Sequence, residues 1–191
     1  MKQSTLQPLR LFLCLCMGVF MICSISVQAQ SSSKKIQFGA ELDALPYITG
    51  GWFAAGWVGK EHVRARVLTA GVNMPEFITK EGFSNHRITS YAVVVDYFLK
   101  ESWKGWWAGA GLVYWKSSIQ TDAHLQTADF KNYLLNGSIG YNIPLYKKLY
   151  LSPWAGMSIR AGGDKNVAVD AKQFSLPLLN PEASLKLGIS F

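Results

Sequence analysis

The amino-acid sequence predicts an all-β fold, an up-and-down antiparallel transmembrane β-barrel of about eight strands. Three observations predict it: an export-type N-terminal segment, a series of segments with two-residue apolar periodicity, and connections that alternate between long and short. No window of 11 residues or more carries a helical apolar stripe. The 191 residues are enough for one domain.

The N-terminal segment has the layout of a secretory signal peptide. Lys2 and Arg10 precede an unbroken apolar run at 11–23, and a more polar stretch then leads to Ala29. A helix that crosses a membrane needs about 20 apolar residues, so this run is short for a membrane anchor. An uncleaved membrane anchor remains the alternative to a signal peptide. We expect a signal peptide at 1–29, a polar leader at 30–35 and the barrel at 36–191.

Cysteine and charge content restrict the mature chain further. All three cysteines (Cys14, Cys16, Cys23) lie in the predicted signal peptide, which excludes disulfides, thiolate metal sites and a cysteine nucleophile from the rest. Without Lys2 and Arg10, the mature chain has 17 of the 19 basic residues and all 12 acidic residues, which gives a net charge of +5. Because these charges form no run, they favour phosphate-bearing lipid head groups over nucleic acid as a partner.

The predicted strands and their connections follow the period-two pattern. We place strands at 36–43, 51–58, 62–72, 88–100, 106–116, 130–143, 149–161 and 181–191. The seven connections then run to about 7, 3, 15, 5, 13, 5 and 19 residues. An outer-membrane barrel has short periplasmic turns and longer external loops, so this alternation predicts which end faces outward.

The last segment sets the register of the barrel wall. Between 182 and 191 apolar and polar residues alternate without exception, and the chain ends on an aromatic residue, Phe191. This indicates lipid on one face and a polar lumen on the other. An alternating strand closed by a terminal Phe resembles the small eight-stranded outer-membrane barrels, the OmpA transmembrane domain and OmpX group. The resemblance implies residence in the outer membrane and recognition of Phe191 by the barrel assembly machinery.

Aromatic residues concentrate toward the ends of the predicted strands, as expected of rings that favour the two head-group levels. One group falls near the short-turn end: Tyr97, Trp103, Trp106, Trp107, Tyr141, Tyr146, Tyr150 and Phe191. A second falls near the long-loop end: Trp52, Phe53, Tyr91, Tyr114, Trp115 and Tyr133.

Charged residues are predicted on the lumen face of several strands. They are Glu41, Arg64, Arg66, Asp96, Arg160, Glu182 and Lys186. An eight-stranded barrel is only wide enough for side chains to fill it, and an unpaired buried charge costs several kcal/mol. We expect Arg64 and Arg66 to pair with Asp96, and Glu41 to reach Lys186 or Glu182. The network is interpreted as a structural plug, with a gated pore or a catalytic cluster as the alternative.

The upper part of the lumen is predicted to be more apolar. Its inward candidates are Leu68, Val72, Ala92, Val94 and Val113, and the longest loop carries Phe174, Leu176, Leu178 and Leu179 above them. These side chains either fill the narrow barrel or line a pocket for an acyl chain or a similar apolar ligand.

The expected function is that of a non-enzymatic outer-membrane protein, structural or interacting through its external loops, in contact with outer-membrane lipid. A lipid-acting enzyme, an apolar-ligand carrier and a soluble secreted β-sandwich binding module are the alternatives. The three histidines (His62, His86, His124) are too scattered for a metal site, and no motif joins one to a serine nucleophile. We therefore predict no catalytic residues, no cofactor-binding residues and no metal ligands.

Overall fold

Residues 35–123 and 126–191 are described by the computed structural model, so the predicted signal peptide and leader up to residue 34 lie outside the described residues. The strands are β1 (Gln37–Asp43), β2 (Trp52–Lys60), β3 (Val63–Asn73), β4 (Phe83–Phe98), β5 (Gly105–Thr121), β6 (Thr127–Pro144), β7 (Leu149–Gly163), β8 (Asn166–Val169), β9 (Lys172–Ser175) and β10 (Leu179–Ser190).

Eight of these strands close into a barrel. Its order around the ring is β1-β10-β7-β6-β5-β4-β3-β2, all neighbours are antiparallel, and β8 and β9 form a separate hairpin in the connection between β7 and β10. The predicted up-and-down barrel is confirmed. The alternative of a soluble β-sandwich is wrong, because β10 pairs with β1 and leaves one ring in place of two stacked sheets.

Period-two patterning produces the two faces of the wall. In β4 the outward side chains Tyr91, Val93, Val95 and Tyr97 are each half exposed, whereas the alternate residues from Ala92 to Phe98 are buried. Successive side chains of a strand point to opposite faces, so one apolar series meets the surroundings and the other fills the lumen.

Four connections, three of them long, meet at one end of the barrel, called here the upper end. Three short turns, the start of β1 and the end of β10 meet at the lower end. The upper connections span residues 44–51, 74–82, 122–126 and 164–178, and the lower ones 61–62, 99–104 and 145–148. The predicted 13-residue connection between β5 and β6 was too long. The ladder continues through polar residues there, and Gln120 bonds both Asn85 (2.7 Å) and Thr127 (2.8 Å).

The first strand ends early and a short helix takes its place. β1 stops at Asp43, opposite Lys186, and α1 (Ala44–Ile48) follows. The Asp43 side chain caps α1 by accepting from the Leu45 amide, and it also accepts from Ser184 and from the Trp154 indole. Above Lys186, β10 is therefore paired on the β7 side only. Pro181, which lacks an N–H, lies in this half-paired stretch, as proline does in edge strands.

Candidate functional site: the charged lumen and its apolar cap

Two arginines and two carboxylates form the centre of the lower lumen. Arg64 bonds Glu41 through Nη1 (2.7 Å) and Asp96 through Nε (2.9 Å). Arg66 bonds Glu41 through Nη1 (3.0 Å) and Asp96 through Nη2 (2.8 Å). All four side chains are 0–2 % exposed. We call this set the lumen charge network. Its formal charges cancel, which makes its burial tolerable.

Aromatic rings surround the lumen charge network. The Arg64 guanidinium lies 4.9 Å from the Phe98 ring centroid, and that of Arg66 lies 5.2 Å from the Trp107 centroid. The Tyr150 hydroxyl donates to Glu41 Oε1 at 2.7 Å. Guanidinium groups over ring faces gain cation–π attraction, which strengthens when water is excluded. The rings and ion pairs together block the lumen at this level.

The structure brings Arg64, Arg66 and Asp96 together as expected, but it gives Glu41 different partners. Glu41 lies opposite Gly188 across the β1–β10 seam, and Lys186 lies opposite Asp43. Lys186 is buried with its ammonium 3.9 Å from the Trp154 ring centroid. The direct ion pairs of Glu41 are with the two arginines of β3, and none joins it to Glu182 or Lys186 within the described residues. Lys186 is still close enough to attract Glu41 electrostatically.

Arg160 and Glu182 lie higher in the lumen and outside the lumen charge network. Glu182 accepts from the Ser158 hydroxyl, which also accepts from the Asn136 amide at 3.0 Å. Arg160 is partly buried, and its Nη1 has no hydrogen-bond partner within the described chain. Including these two residues in the network was wrong, since they sit on the upper halves of β7 and β10.

An apolar cluster closes the upper lumen and joins the loop hairpin to the wall. Phe174 of β9 packs edge-on against Phe83 (centroids 5.2 Å apart) and tilted against Phe130 (5.6 Å). We call this cluster the apolar cap; it comprises Phe83, Ile88, Trp115, Ile119, Phe130, Leu134, Val169, Phe174 and Leu176. The hairpin is held further by a hydrogen bond from Thr121 to Asp170. Leu178 and Leu179, expected to help cover the lumen, are exposed.

One histidine packs against the apolar cap, at a level above the upper end of the outward-facing Tyr91. His86 is buried, with its ring 5.4 Å from that of Phe174 and 5.9 Å from that of Phe130. Its Nε2 has no hydrogen-bond partner within the described residues. Burial lowers the pKa of His86 to about 4. Within the described chain neither this imidazole nor that of His62, which lies beside Glu101 at the lower end, bonds a serine hydroxyl.

The proposed pocket residues all lie along the lumen wall, but in separate surroundings. Val113 packs on the apolar cap, whereas Leu68 packs on a smaller cluster of Phe53, Ala55 and Ala70. Ala92 and Val94 are buried between these groups, and Val72 is partly buried near the upper end of β3. Phe174 of β9 and Leu176, which follows β9, fill the space above these residues. These two side chains make the predicted cover of the lumen.

The last residue extends the seam at the lower end. β10 ends at Ser190, yet the Phe191 amide still donates to the Phe38 carbonyl at 2.8 Å. The Phe191 side chain is 66 % exposed on the outer face. A cavity of about 120 Å³ opens at this end, lined by Trp57, Trp103 and Tyr150 among others. Sequence reasoning did not anticipate it.

The outer surface shows two levels of aromatic residues. The upper row is Tyr91, Tyr114 and Tyr133, with neighbouring centroids 6.3 and 5.3 Å apart; Trp106 and Tyr141 form part of the lower row. Eight residues separate Trp106 from Tyr114 along β5. At about 3.4 Å per residue and a tilt of roughly 40°, the rows are about 20 Å apart, close to the apolar band of outer-membrane barrels. Four of the aromatic residues that the sequence analysis placed at the head-group levels instead face the lumen: Trp107, Tyr150, Phe53 and Trp115. For these four the prediction was wrong.

No helix among the described residues is long and apolar enough to cross a membrane. The closed eight-stranded ring, its apolar exterior between two aromatic rows and an interior filled by side chains define a small β-barrel of the outer-membrane type.

Comparison with known proteins agrees with this fold. No family model matches the chain, and no curated protein matches its sequence. Among solved structures, the chain is similar to Neisserial surface protein A (9% identity, TM-score 0.51), covering 82% of this chain and 96% of that one. It also aligns with the N-terminal barrel domain of Pseudomonas aeruginosa OprF (13%, 0.47, 82% and 96%). A third match is a major outer membrane protein from Thermus thermophilus (12%, 0.49, 82% and 100%). The fold is that of the small eight-stranded outer-membrane barrels.

Proposed function

We propose that this protein is an integral β-barrel of the bacterial outer membrane that works without catalysis, as a structural element and through contacts of its upper loops. The proposal rests on one observation: the exterior is apolar and therefore compatible with lipid, while the interior is closed at two levels. The lumen charge network blocks the lower lumen and the apolar cap blocks the upper one. A barrel filled in this way offers its outer surface and loops for contact.

The upper loops present apolar side chains to the surroundings. Phe77 in the connection after β3 is 88 % exposed, and Ile48 at the end of α1 is 80 % exposed. A contiguous patch of exposed apolar side chains is typical of an interaction site, and Phe77 is followed by Ile78, which is 58 % exposed. Their position at the end with the long connections supports an interaction outside the membrane, with both strand termini in the periplasm.

Location is tested by fractionation and folding. The mature chain is expected in the outer-membrane fraction and to fold only in detergent or lipid. Boiled and unboiled samples should migrate differently on a denaturing gel, since a closed barrel has no free edge from which to unravel. A mature chain that is monomeric and soluble in plain buffer would refute the proposal. Replacing Phe77 and Ile78 by Ser tests the loop contact, because this change leaves the barrel wall untouched.

An apolar-ligand carrier remains the second candidate, supported by the apolar lining of the upper lumen. Phe174 and Leu176 would then have to leave that space for the ligand. Ala92→Trp, which adds volume below the apolar cap, is expected to abolish lipid retention in such a carrier. Equal amounts of co-purified lipid in the variant and the parent would remove this candidate.

A further inference from the structure

A cluster of basic side chains lies on the outer surface directly above the upper aromatic row. β4, β5 and β6 are the longest strands and continue beyond Tyr91, Tyr114 and Tyr133. The next outward positions above that row are Thr89, Lys116 and Lys131, followed by Arg87, Ser118 and Asp129. We call Arg87, Lys116 and Lys131 the outer basic cluster; all three are exposed.

The register places two of these charges against each other. Lys116 and Lys131 are directly opposite across the β5–β6 ladder, and Arg87 is the diagonal neighbour of Lys116. Like charges in direct cross-strand pairs destabilise a sheet. Within the described chain no ion pair joins the three side chains to a carboxylate. Asp129 is the one outward acid beside them, and Asp164 accepts from the Lys131 backbone amide at 2.8 Å.

A shallow apolar groove lies below the cluster on the same strand. It is wide open to the surroundings and is lined by Gly137, Ile139, Ala155 and Met157, with Ser138 and Gly156. Gly137 lies six residues below Lys131 on β6 and midway between Tyr133 and Tyr141. Six residues span about 20 Å along the strand, or roughly 15 Å of membrane depth at the usual tilt. That distance is close to one leaflet of the apolar band.

We propose that the outer basic cluster and this groove form one binding site for a phosphorylated, acylated lipid of the outer leaflet, of the lipid A type. Lys116 and Lys131 contact a head-group phosphate, the tyrosines below lie at the glycolipid interface, and an acyl chain occupies the groove. The phosphate dianion removes the repulsion between the paired lysines. This inference rests on the proposed residence in the outer membrane.

The test uses the folded mature protein in phosphatidylcholine nanodiscs, titrated with bisphosphorylated lipid A and read by native mass spectrometry. The same lipid without its phosphates, phosphatidylglycerol and inorganic phosphate are the comparison probes. Each lysine near an anionic head group contributes about a fivefold change in affinity. Lys131→Gln should therefore weaken binding about fivefold, and the variant with Lys116→Gln added roughly 25-fold. Lys104→Gln, an exposed lysine of a lower turn, is the matched control and should change nothing.

Two further readouts separate this site from general charge attraction. Gly137→Leu fills the groove, where an added Cβ meets no atom within 4 Å, so the barrel should fold while lipid A binding weakens. In neutral detergent without lipid, Lys131→Gln should raise the denaturant midpoint, because it removes the like-charge pair.

Unchanged lipid A affinity in the double lysine variant, or equal binding of dephosphorylated lipid A or phosphatidylglycerol, would overturn the site. Competition by inorganic phosphate at the lipid's own concentration would overturn the lipid assignment as well. In each of these cases the protein would still be an inserted barrel whose boiled and unboiled forms migrate differently. If the proposed function were wrong, the chain would instead be soluble without lipid.

Discussion

Replacing Asp96 by Asn tests whether the lumen charge network stabilises the barrel as a balanced set. Asp96 is fully buried on β4 and accepts hydrogen bonds from Arg64 (2.9 Å) and Arg66 (2.8 Å). Gly109 lies opposite it on β5, where an added Cβ would be 2.5 Å from Asp96 Oδ1. The absence of a side chain at Gly109 therefore leaves room for the Asp96 carboxylate. Asn has nearly the same size as Asp but carries no charge.

The magnitude follows from the charge balance. With Asn at position 96, two buried guanidinium groups share the single carboxylate of Glu41. Removing one partner of a buried ion pair costs about 3–5 kcal/mol, because a buried charge is left uncompensated. We expect Asp96→Asn to lower the free energy of unfolding by that amount. Arg64→Met added to it restores neutrality and keeps a polarizable side chain against Phe98 and Trp107, so about 2 kcal/mol or more should return.

The assay is equilibrium unfolding by urea in detergent micelles or lipid vesicles, followed by tryptophan fluorescence, because Trp57 and Trp107 line the network. Equal denaturant dependence in all variants shows that the same transition is compared. Glu182→Gln is the matched control, since Glu182 bonds Ser158 and not the arginines, and should cost less than about 1 kcal/mol. A loss below about 1 kcal/mol for Asp96→Asn, or strictly additive effects in the double variant, would refute the balanced-network explanation.

Three more predictions concern the cap and the seam. Phe174→Ala removes a ring buried among Phe83, His86 and Phe130, and should cost about 3 kcal/mol or more in hairpin stability, measured by hydrogen exchange of the β8–β9 amides. Leu178→Ala, exposed on the same connection, is its control. His86 lies above the upper aromatic row, and burial lowers its pKa from 6.5 to about 4. The neutral ring then stabilises the apolar cap above pH 6.5, and this stability is lost as the pH falls toward 4. The protection factors of the hairpin amides, which are corrected for the intrinsic pH dependence of exchange, should fall over that interval, and His86→Phe should abolish this change; identical profiles would exclude His86 as the cause. Deleting Phe191, or replacing it by a charged residue, should reduce insertion into the outer membrane far more than Ser190→Ala does. Phe191→Ala retains the bond to the Phe38 carbonyl, so equal insertion of this variant and the parent would assign the effect to the seam and not to recognition of the ring.

The sequence by itself determined the fold class and the two faces of the wall. Alternation is a local property, because each residue points to the opposite side from its neighbour. The residues of β4 and β10 could therefore be divided into an outward and an inward series before any contact was known, and in β10 the inward series is polar. Arg64, Arg66 and Asp96 lie on neighbouring strands of a hairpin with regular antiparallel pairing, so their proximity was also predictable.

Only the tertiary structure decided how the strands are aligned around the ring. The partners of Glu41 depend on the β1–β10 seam, whose strands are far apart in sequence. The sequence pattern predicted the end of the first strand at Asp43, but not the capped helix that follows it. The juxtaposition of Lys116 and Lys131 depends on the register of β5 against β6, and the sequence pattern ended both strands too early at this connection. Phe174 enters the lumen because a loop hairpin folds over the barrel. Period-two patterning predicts which face of the wall a residue occupies. The register of the strands, the closure of the barrel and the packing of the loops depend on contacts between segments that are distant in sequence.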